Sequence, residues 1–298
     1  MEGSRAGYAR GGRVSRMSAR AQAEGQAPMS RLLERGAIDL WCVALRAVDA
    51  ARRWGDYRAL LDPAEQARQG RLLRRADRRR DLVARALVRT VLSRYLPVAP
   101  EAWVFGADAH GRPRIVAPQG LPPIEFNLAH SGERVVLGIT AGRSLGVDVE
   151  YTRRRADTVS LERYFAPAER AALAALPAAQ RRQRFFELWT LKEAYLKARG
   201  LGLRLPLHGC AFEWSMPGEV RLVLSGAFAA GPQRWALAQL SLHERYVLAV
   251  CAERREEQPL SLAVHELVPL EWSRLVAPPL ARAAGIVPRA TPAARSRG

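Results

Sequence analysis

The sequence predicts a chain of mixed α and β structure with a faint internal repeat, and three observations point that way. First, paired strand-turn-strand segments recur at residues 103–116 and 124–140, and a meander of strands runs from about 210 to 253. Second, long helical segments lie between these strand sets rather than alternating with single strands. Third, "RRRDLVARALVRTVLSRYL" (78–96) and "RRQRFFELWTLKEAYLKAR" (181–199) both open on basic residues and continue as long apolar helices, a faint internal repeat. With 298 residues, 48% of them hydrophobic, the chain can bury the core of one large domain or two small ones.

Taken in order, "AIDLWCVAL" (37–45) reads as a buried strand. Residues 62–96 read as helical, with Asp62 as N-cap, Pro63 at the first helical position, and Pro97 and Pro100 ending the run. "WVFGADAHGRPRIV" (103–116) and "IEFNLAHSGERVVLGIT" (124–140) each read as two strands about a glycine-containing turn, and "SLGVDVEY" (144–151) follows as a strand. Helices are expected at 166–177 and 181–200, the second stopping on Gly200. A last strand is expected at 262–270. The expected organisation is a disordered extension at 1–36, one half at 37–143, a second at 144–270, and a disordered basic tail at 271–298.

The net charge is +18, and each end (1–36 and 276–298) carries +4, so the body is basic as well. That implies an anionic partner or substrate. Cys42, Cys210 and Cys251 are odd in number, far apart and in no C-x-x-C pattern. They fit a reducing compartment, hence a cytoplasmic protein, without a disulfide framework or zinc site. No apolar run reaches the ~18 residues of a membrane helix. The first 36 residues lack the apolar core of a secretory signal, and Glu2, Glu24 and Glu34 argue against a transit peptide. A disordered extension, or an early start codon with Met17 or Met29 as the true start, is expected there.

Three short stretches carry chemistry. In "LGVDVE" (145–150), Asp148 and Glu150 point to one face of a strand and Val147 and Val149 to the other. Two carboxylates so placed repel unless a cation lies between them, and oxygen-only donors suit Mg²⁺. Read alone, the pair is as simply a solvent-facing couple neutralised by Arg153, Arg154 and Arg155. In "FFELWTLKEAYLKARG" (185–200), Glu193 and Lys197 lie one turn apart, flanked by Phe186, Trp189 and Leu196. On a wet face such a pair contributes only ~0.3–0.5 kcal/mol, but among apolar neighbours charges are costly unless paired or used. In "FNLAHSGERV", Asn127, His130, Ser131 and Gly132 sit at a strand end and turn, which is either a capped turn or an anion contact. No G-x-S-x-G or S-x-x-K surrounds Ser131, and no G-x-x-x-x-G-K-[ST] or G-x-G-x-x-G occurs.

In order and spacing, "FNLAHSG", "LGVDVE" and "FFELWTLKEAYLKARGLGL" resemble the 4′-phosphopantetheinyl transferases of the larger, secondary-metabolism type. That family shows F-N-x-S-H-S, G-[IV]-D-[IV]-E and W-x-x-K-E-[AS]-x-x-K followed by G-x-G-L, and "HGRPRI" (110–115) is similar to its G-[KR]-P turn. The resemblance runs from about Leu40 to about Glu253. It implies a pseudo-twofold pair of α+β halves, each a small antiparallel sheet with helices, around an active-site cleft. It implies transfer of the phosphopantetheine arm of coenzyme A to a serine of an apo acyl or peptidyl carrier protein, with release of adenosine 3′,5′-bisphosphate. The implied partners are apo acyl or peptidyl carrier proteins, of polyketide, nonribosomal peptide or fatty acid synthesis or several of these.

By the same resemblance, Asp148, Glu150 and Glu193 match metal ligands for Mg²⁺ or Mn²⁺, with Glu193 alternatively the general base. Lys197 matches a lysine at the transferring phosphate, and Trp189 and Lys192 the fixed residues of the helix motif. His130, Arg112, Arg80 and Arg68 match contacts to coenzyme A. Ala129 stands where many members have Ser, and Glu65 where some have Lys, which throws phosphate binding onto Arg68 and its neighbours. A monomer without nucleic-acid or membrane partners is expected. A basic nucleic-acid-binding protein is the competing class; aromatics at 7% and the lack of a helix-turn-helix, zinc or RNP pattern stand against it.

Overall fold

Residues 37–44 alternate between two apolar surroundings, so no side of this strand faces water. Ile38, Leu40 and Cys42 join one core cluster and Ala37, Trp41 and Val43 another. A strand buried on both faces belongs in the middle of a layered structure. The computed structural model of the protein describes residues 36–108, 111–154, 163–200, 207–214, 216, 218–228, 235–255 and 259–289.

Along the chain, β1 (Ala37–Ala44) leads into helices α1 (Leu45–Ala51), α2 (Trp54–Ala59), α3 (Pro63–Gly70) and α4 (Arg75–Tyr95). Strands β2 (Val104–Ala107), β3 (Pro113–Ala117), β4 (Ile124–Ser131), β5 (Arg134–Ala141) and β6 (Leu145–Tyr151) follow. Helices α5 (Pro167–Ala175) and α6 (Ala178–Arg199) precede β7 (Cys210–Glu213), β8 (Arg221–Leu224), β9 (Trp235–Leu242) and β10 (Tyr246–Glu253). The chain closes with β11 (Leu260–Val268), β12 (Trp272–Val276), β13 (Leu280–Ala284) and β14 (Ile286–Pro288).

Two sheets form the centre. The first has the order β12-β11-β1-β5-β4, with β14 also on β11, and the second β13-β9-β10-β6. Their facing sides share a core that includes Leu40, Val136, Val147, Val149, Leu248 and Val264. Helix α4 covers the outer side of the first sheet through residues such as Leu87 and Val91. Helix α6 covers the outer side of the second through Leu188, Leu191 and Tyr195. The two repeat-like segments therefore occupy equivalent places, each a helix laid on one sheet, and the fold is the α+β arrangement expected.

The structure corrects several expectations. Residues 62–96 are two helices, because the chain turns after Gly70. That turn is held by Arg78, whose Nε donates to the Leu72 carbonyl at 2.6 Å. The helix at 45–51 and the short one at 54–59 carry no strong sequence signal. Strand β11 does not continue the second sheet; it runs parallel to β1, Leu40 opposite Val264. The tail expected to be disordered from 271 forms three strands up to Pro288, pairing with both sheets. Arg289 then donates to Asp39 Oδ1 at 2.8 Å. The reason is long-range: these short segments gain order only from strand edges that are remote in sequence. The expected disorder at 1–35 and 290–298 lies outside the described residues. Among those described, no helix is long and apolar enough to cross a membrane.

Candidate active site

The edges β4 and β6 bring the two halves together. Asn127 Oδ1, from β4, accepts from the Val147 amide at 2.9 Å, and Ser131 Oγ accepts from the Tyr151 amide at 3.0 Å. Side chains of the first sheet thus satisfy edge amides of the second, which would otherwise be unpaired. This work of Asn127 and Ser131 is absent from the sequence reading. The one signal for it is that Asn127 and Ser131, four residues apart on β4, fall on the same face of the strand.

Strand β6 divides its side chains as its period of two requires. Leu145, Val147 and Val149 enter the core between the sheets. Gly146, Asp148 and Glu150 face the other way, toward α6. A Cβ at residue 146 would lie 2.0 Å from the Ala194 carbonyl oxygen and 2.4 Å from the Ala198 nitrogen. Only glycine lets the helix approach this closely, and that approach delivers Glu193 and Lys197 to the acidic face. Gly200 ends the helix with φ 68°, the left-handed C-cap position expected of it. The G-x-G-L stretch after it, from 201, lies outside the described residues.

Asp148 and Glu150 are both buried, each 8% exposed. Lys197 Nζ donates to Asp148 Oδ1 at 2.7 Å and to the Val147 carbonyl at 3.0 Å. Asp148 Oδ2 is buried and accepts no hydrogen bond from the protein. Burial pushes the Asp148 carboxyl up to about 7; Lys197 pulls against this, and Glu150 and Glu193 add to the rise. Glu193 is likewise raised, first by burial, with Lys197 opposing and Glu150 reinforcing. The three acids and Lys197 thus share one electrostatic neighbourhood. Glu150 is differently placed. Arg154 grips both its oxygens at 2.7 Å, and Ser131 Oγ donates to Oε2 at 2.7 Å. Arg154 thus neutralises Glu150, but the acid is buried and does not face solvent as the arginine-neutralised reading had it.

His130, at the end of β4, has its pKa lowered, first by desolvation and then by the charges of Arg80 and Lys197. That ties α4, β4 and α6 to one rim. Arg80 pairs with Asp77 at 3.0 Å, and its buried Nε makes no hydrogen bond. Arg112 reaches Glu125 Oε2 and the Leu145 carbonyl, both at 3.2 Å, so it stands at the start of β6. His110 of the same turn lies outside the described residues. Arg68 is not gathered into this group: it is exposed on α3 and makes no ion pair with any of these acids. Glu65, one turn before it, is a buried anchor, pairing with the fully buried Arg89 and with Arg85 at 2.7 Å. Phe186 and Trp189, which flank Glu193 and Lys197 in the sequence, belong to the apolar core around α6. Lys192 is buried on the far side of α6 and salt-bridged to Glu169 at 2.8 Å.

In chemistry, though not in placement, the carboxylates suit a hard divalent cation. They offer oxygen atoms only, and one buried carboxylate oxygen lacks a partner. As placed, no three His, Cys, Asp or Glu side chains among the described residues converge enough to hold a metal ion. Arg154 and Lys197 supply the cations that hold the like-charged carboxylates beside one another.

Buried acids beside a lysine, with His130 and Arg80 close by and Arg112 at the start of β6, make up a candidate active site at the seam of the two sheets. Residues 144–251 match the model of the 4′-phosphopantetheinyl transferase superfamily, and residues 49–141 that of the 4′-phosphopantetheinyl transferase N-terminal region. The 4′-phosphopantetheinyl transferase HetI of Nostoc sp. is 35% identical over 56% of this chain and 70% of its own. A 4′-phosphopantetheinyl transferase of Bacillus subtilis is 31% identical over 61% of this chain and 77% of its own. The 4′-phosphopantetheinyl transferase Sfp of Bacillus subtilis strain 168 is 28% identical over 66% and 84%. The chain belongs to the 4′-phosphopantetheinyl transferase superfamily and is of its larger, Sfp-like type.

Proposed function

We propose that this enzyme transfers the 4′-phosphopantetheine arm of coenzyme A to a serine hydroxyl of an apo acyl or peptidyl carrier protein, releasing adenosine 3′,5′-bisphosphate. The observation that carries the reading is the meeting of three motif segments. The end of β4, the acidic face of β6 and the Glu193/Lys197 turn of α6 converge, in a chain whose relatives bear this activity in their names. In the transfer, the serine oxygen attacks the β-phosphorus, and the bond from that phosphorus to the bridging oxygen of the leaving bisphosphate breaks.

Asp148, Glu150 and Glu193 would hold Mg²⁺, or Mn²⁺ in its place. When bound, such an ion offsets the charge on the pyrophosphate oxygens. The chain's own groups do the rest. Glu193 alternatively stays out of that ligand set and takes the serine proton, a role for which the proton affinity that burial raises suits it. Lys197, held by Asp148 at the lip of the pocket, supplies positive charge to the phosphates. His130, Arg80 and Arg112 line the approach for the anionic nucleotide, with Arg68 further out. The basic body draws in two anions, coenzyme A and an acidic carrier domain.

We assign residues 37–143 to the first working half and 144–255 to the second, with 260–289 as a segment shared by both sheets. A cytoplasmic monomer fits three buried, unpaired cysteines and a chain that already carries both halves. Incubating the full chain with coenzyme A, Mg²⁺ and a panel of apo carrier proteins, followed by intact mass, tests the proposal. Gain of one phosphopantetheine on the carrier serine is expected. No gain with any carrier, alongside a salt-dependent shift of nucleic acid on a gel, would move the assignment to the basic nucleic-acid-binding class.

A further inference from the structure

Glu150 is the most fully committed carboxylate of the pocket. Arg154 Nε donates to Oε2 and Nη2 to Oε1, each at 2.7 Å, and Ser131 Oγ adds a third bond to Oε2 at 2.7 Å. A two-pronged guanidinium–carboxylate pair occupies the same lone pairs that a cation would use. Asp148, two residues earlier on the same face, keeps Oδ2 free of any partner.

Arg154 is also a seated group. The turn at the end of β6 is closed by its amide, which donates to the Tyr151 carbonyl at 3.0 Å. Arg182 of α6 pins that turn, donating from Nε to the Thr152 carbonyl at 2.8 Å and from Nη2 to the Arg154 carbonyl. The guanidinium groups of Arg154 and Arg182 both lie 5.4 Å from the ring centre of the buried Phe186. The backbone is therefore fixed, while the Arg154 side chain, 35% exposed, has solvent to move into.

We infer that Arg154 is a displaceable internal counter-ion that competes with the divalent cation for Glu150. This rests on the reading of Glu150 as a metal ligand. A cation reaches Glu150 only as the guanidinium swings off, so cation loading is an exchange of one positive charge for another. The affinity of the pocket is thereby set below that of the bare acids. Arg154 is a regulator of occupancy, with no contact to the reacting atoms.

The sign of one effect separates this from a plain positioning role. A residue that merely orients Glu150 would, when removed, weaken cation binding; a competitor would, when removed, strengthen it. Mn²⁺ binding to the full-length protein without coenzyme A, followed by the electron paramagnetic resonance of free Mn²⁺, reads this directly. Arg154→Gln is expected to bind Mn²⁺ about fivefold or more tightly than wild type, since it removes both a charge and two competing donors. Arg154→Lys, which keeps the charge but not the fork, should fall between the two. Unchanged or weaker binding in Arg154→Gln, with a normal circular dichroism spectrum, overturns the inference. If Arg154→Gln is misfolded, Arg154→Lys decides on the same scale: tighter binding supports the inference and equal or weaker binding ends it. Glu150→Gln distinguishes the two levels. If it binds Mn²⁺ as wild type does, the ligand assignment of Glu150 fails and the inference with it. If it loses binding while neither Arg154 variant gains any, only the inference fails.

Discussion

Helix α6 carries two lysine–carboxylate pairs on opposite sides, alike in distance and unlike in everything else. Lys192 meets Glu169 at 2.8 Å and Lys197 meets Asp148 at 2.7 Å. In the first pair the side chains are 0% and 2% exposed, and nothing is left unsatisfied: Lys192 also donates to the carbonyls of Leu207 and Cys210. Glu169 in turn accepts from the Ala166 amide at 2.7 Å and the Phe212 amide at 2.8 Å. In the second pair the exposures are 28% and 11%, Asp148 Oδ2 has no partner, and the Asp148 carboxyl is pushed up to about 7. A closed network ties the chain around α6 together, whereas an open one keeps capacity for something else. The same kinds of pair, one and a half turns apart on one helix, thus differ in burial and in how completely their hydrogen bonds are filled, which suits one to an anchor and leaves the other open to a further partner.

The comparison can be broken at either pair. The largest effect is expected from Asp148→Ala, which should lower carrier modification by about a thousandfold or more. Its melting temperature should hold or rise, because a carboxylate repelled by Glu150 and Glu193 is gone; near-normal turnover would remove Asp148 from the site. Lys192→Met should do the reverse. It leaves Glu169 as a buried uncompensated charge and should cost about 3–5 kcal/mol of stability, read by urea unfolding. A loss under about 1 kcal/mol would mean that the closed network is not an anchor.

Gly146→Ala tests the surface between the two pairs. Its added methyl meets helix backbone, which cannot yield as a side chain would. The helix must shift, at a cost of about 1–3 kcal/mol, with transfer falling alongside stability because Lys197 and Glu193 move with it. Full activity in a well-folded Gly146→Ala protein would detach the helix position from the chemistry. Lys197→Met should cost about 1 kcal/mol or less of stability, as expected of a partly exposed pair. It should still slow transfer markedly, with little change in Mg²⁺ requirement; a large rise in that requirement would place Lys197 away from the phosphates.

The smallest effect is expected at the thiols. Burial pushes Cys42 and Cys210 up to about 12 and raises Cys251 well above the usual thiol range. In the folded protein all three should resist iodoacetamide at pH 8 and react only on unfolding. Because their folded pKa values lie above the unfolded ~8.5, their contribution to stability is complete below that pH. It drains away as pH climbs toward 12. Rapid native-state labelling at pH 8 would contradict the burial.

Much of the site was legible because its spacing is local. Asp148 and Glu150 share a face through the strand period, Glu193 and Lys197 through the helix period, and Gly200 marks the helix end. What escaped the sequence was every partner chosen across the fold. Lys192 and Lys197 look alike in "LKEAYLK", yet Glu169 and Asp148 decide their roles. Glu65 matches a family phosphate contact in position but lies buried against Arg89. Arg68 shares a basic helix pattern with Arg80, but the turn after Gly70 separates their helices. The strand at 260–268 carries no sign that its neighbour is β1, more than two hundred residues away.

The mixed α and β class and the three motif segments, with their acids, lysine and basic residues, were readable from the sequence, because backbone periodicity and side-chain chemistry are properties of short stretches. Only the tertiary structure decided that Arg154 holds Glu150, that Asn127 and Ser131 join the sheets, and that the C-terminal strands tie both sheets together. Those outcomes depend on which buried polar groups find partners, and a partner exists only where the folded chain has brought two distant segments together.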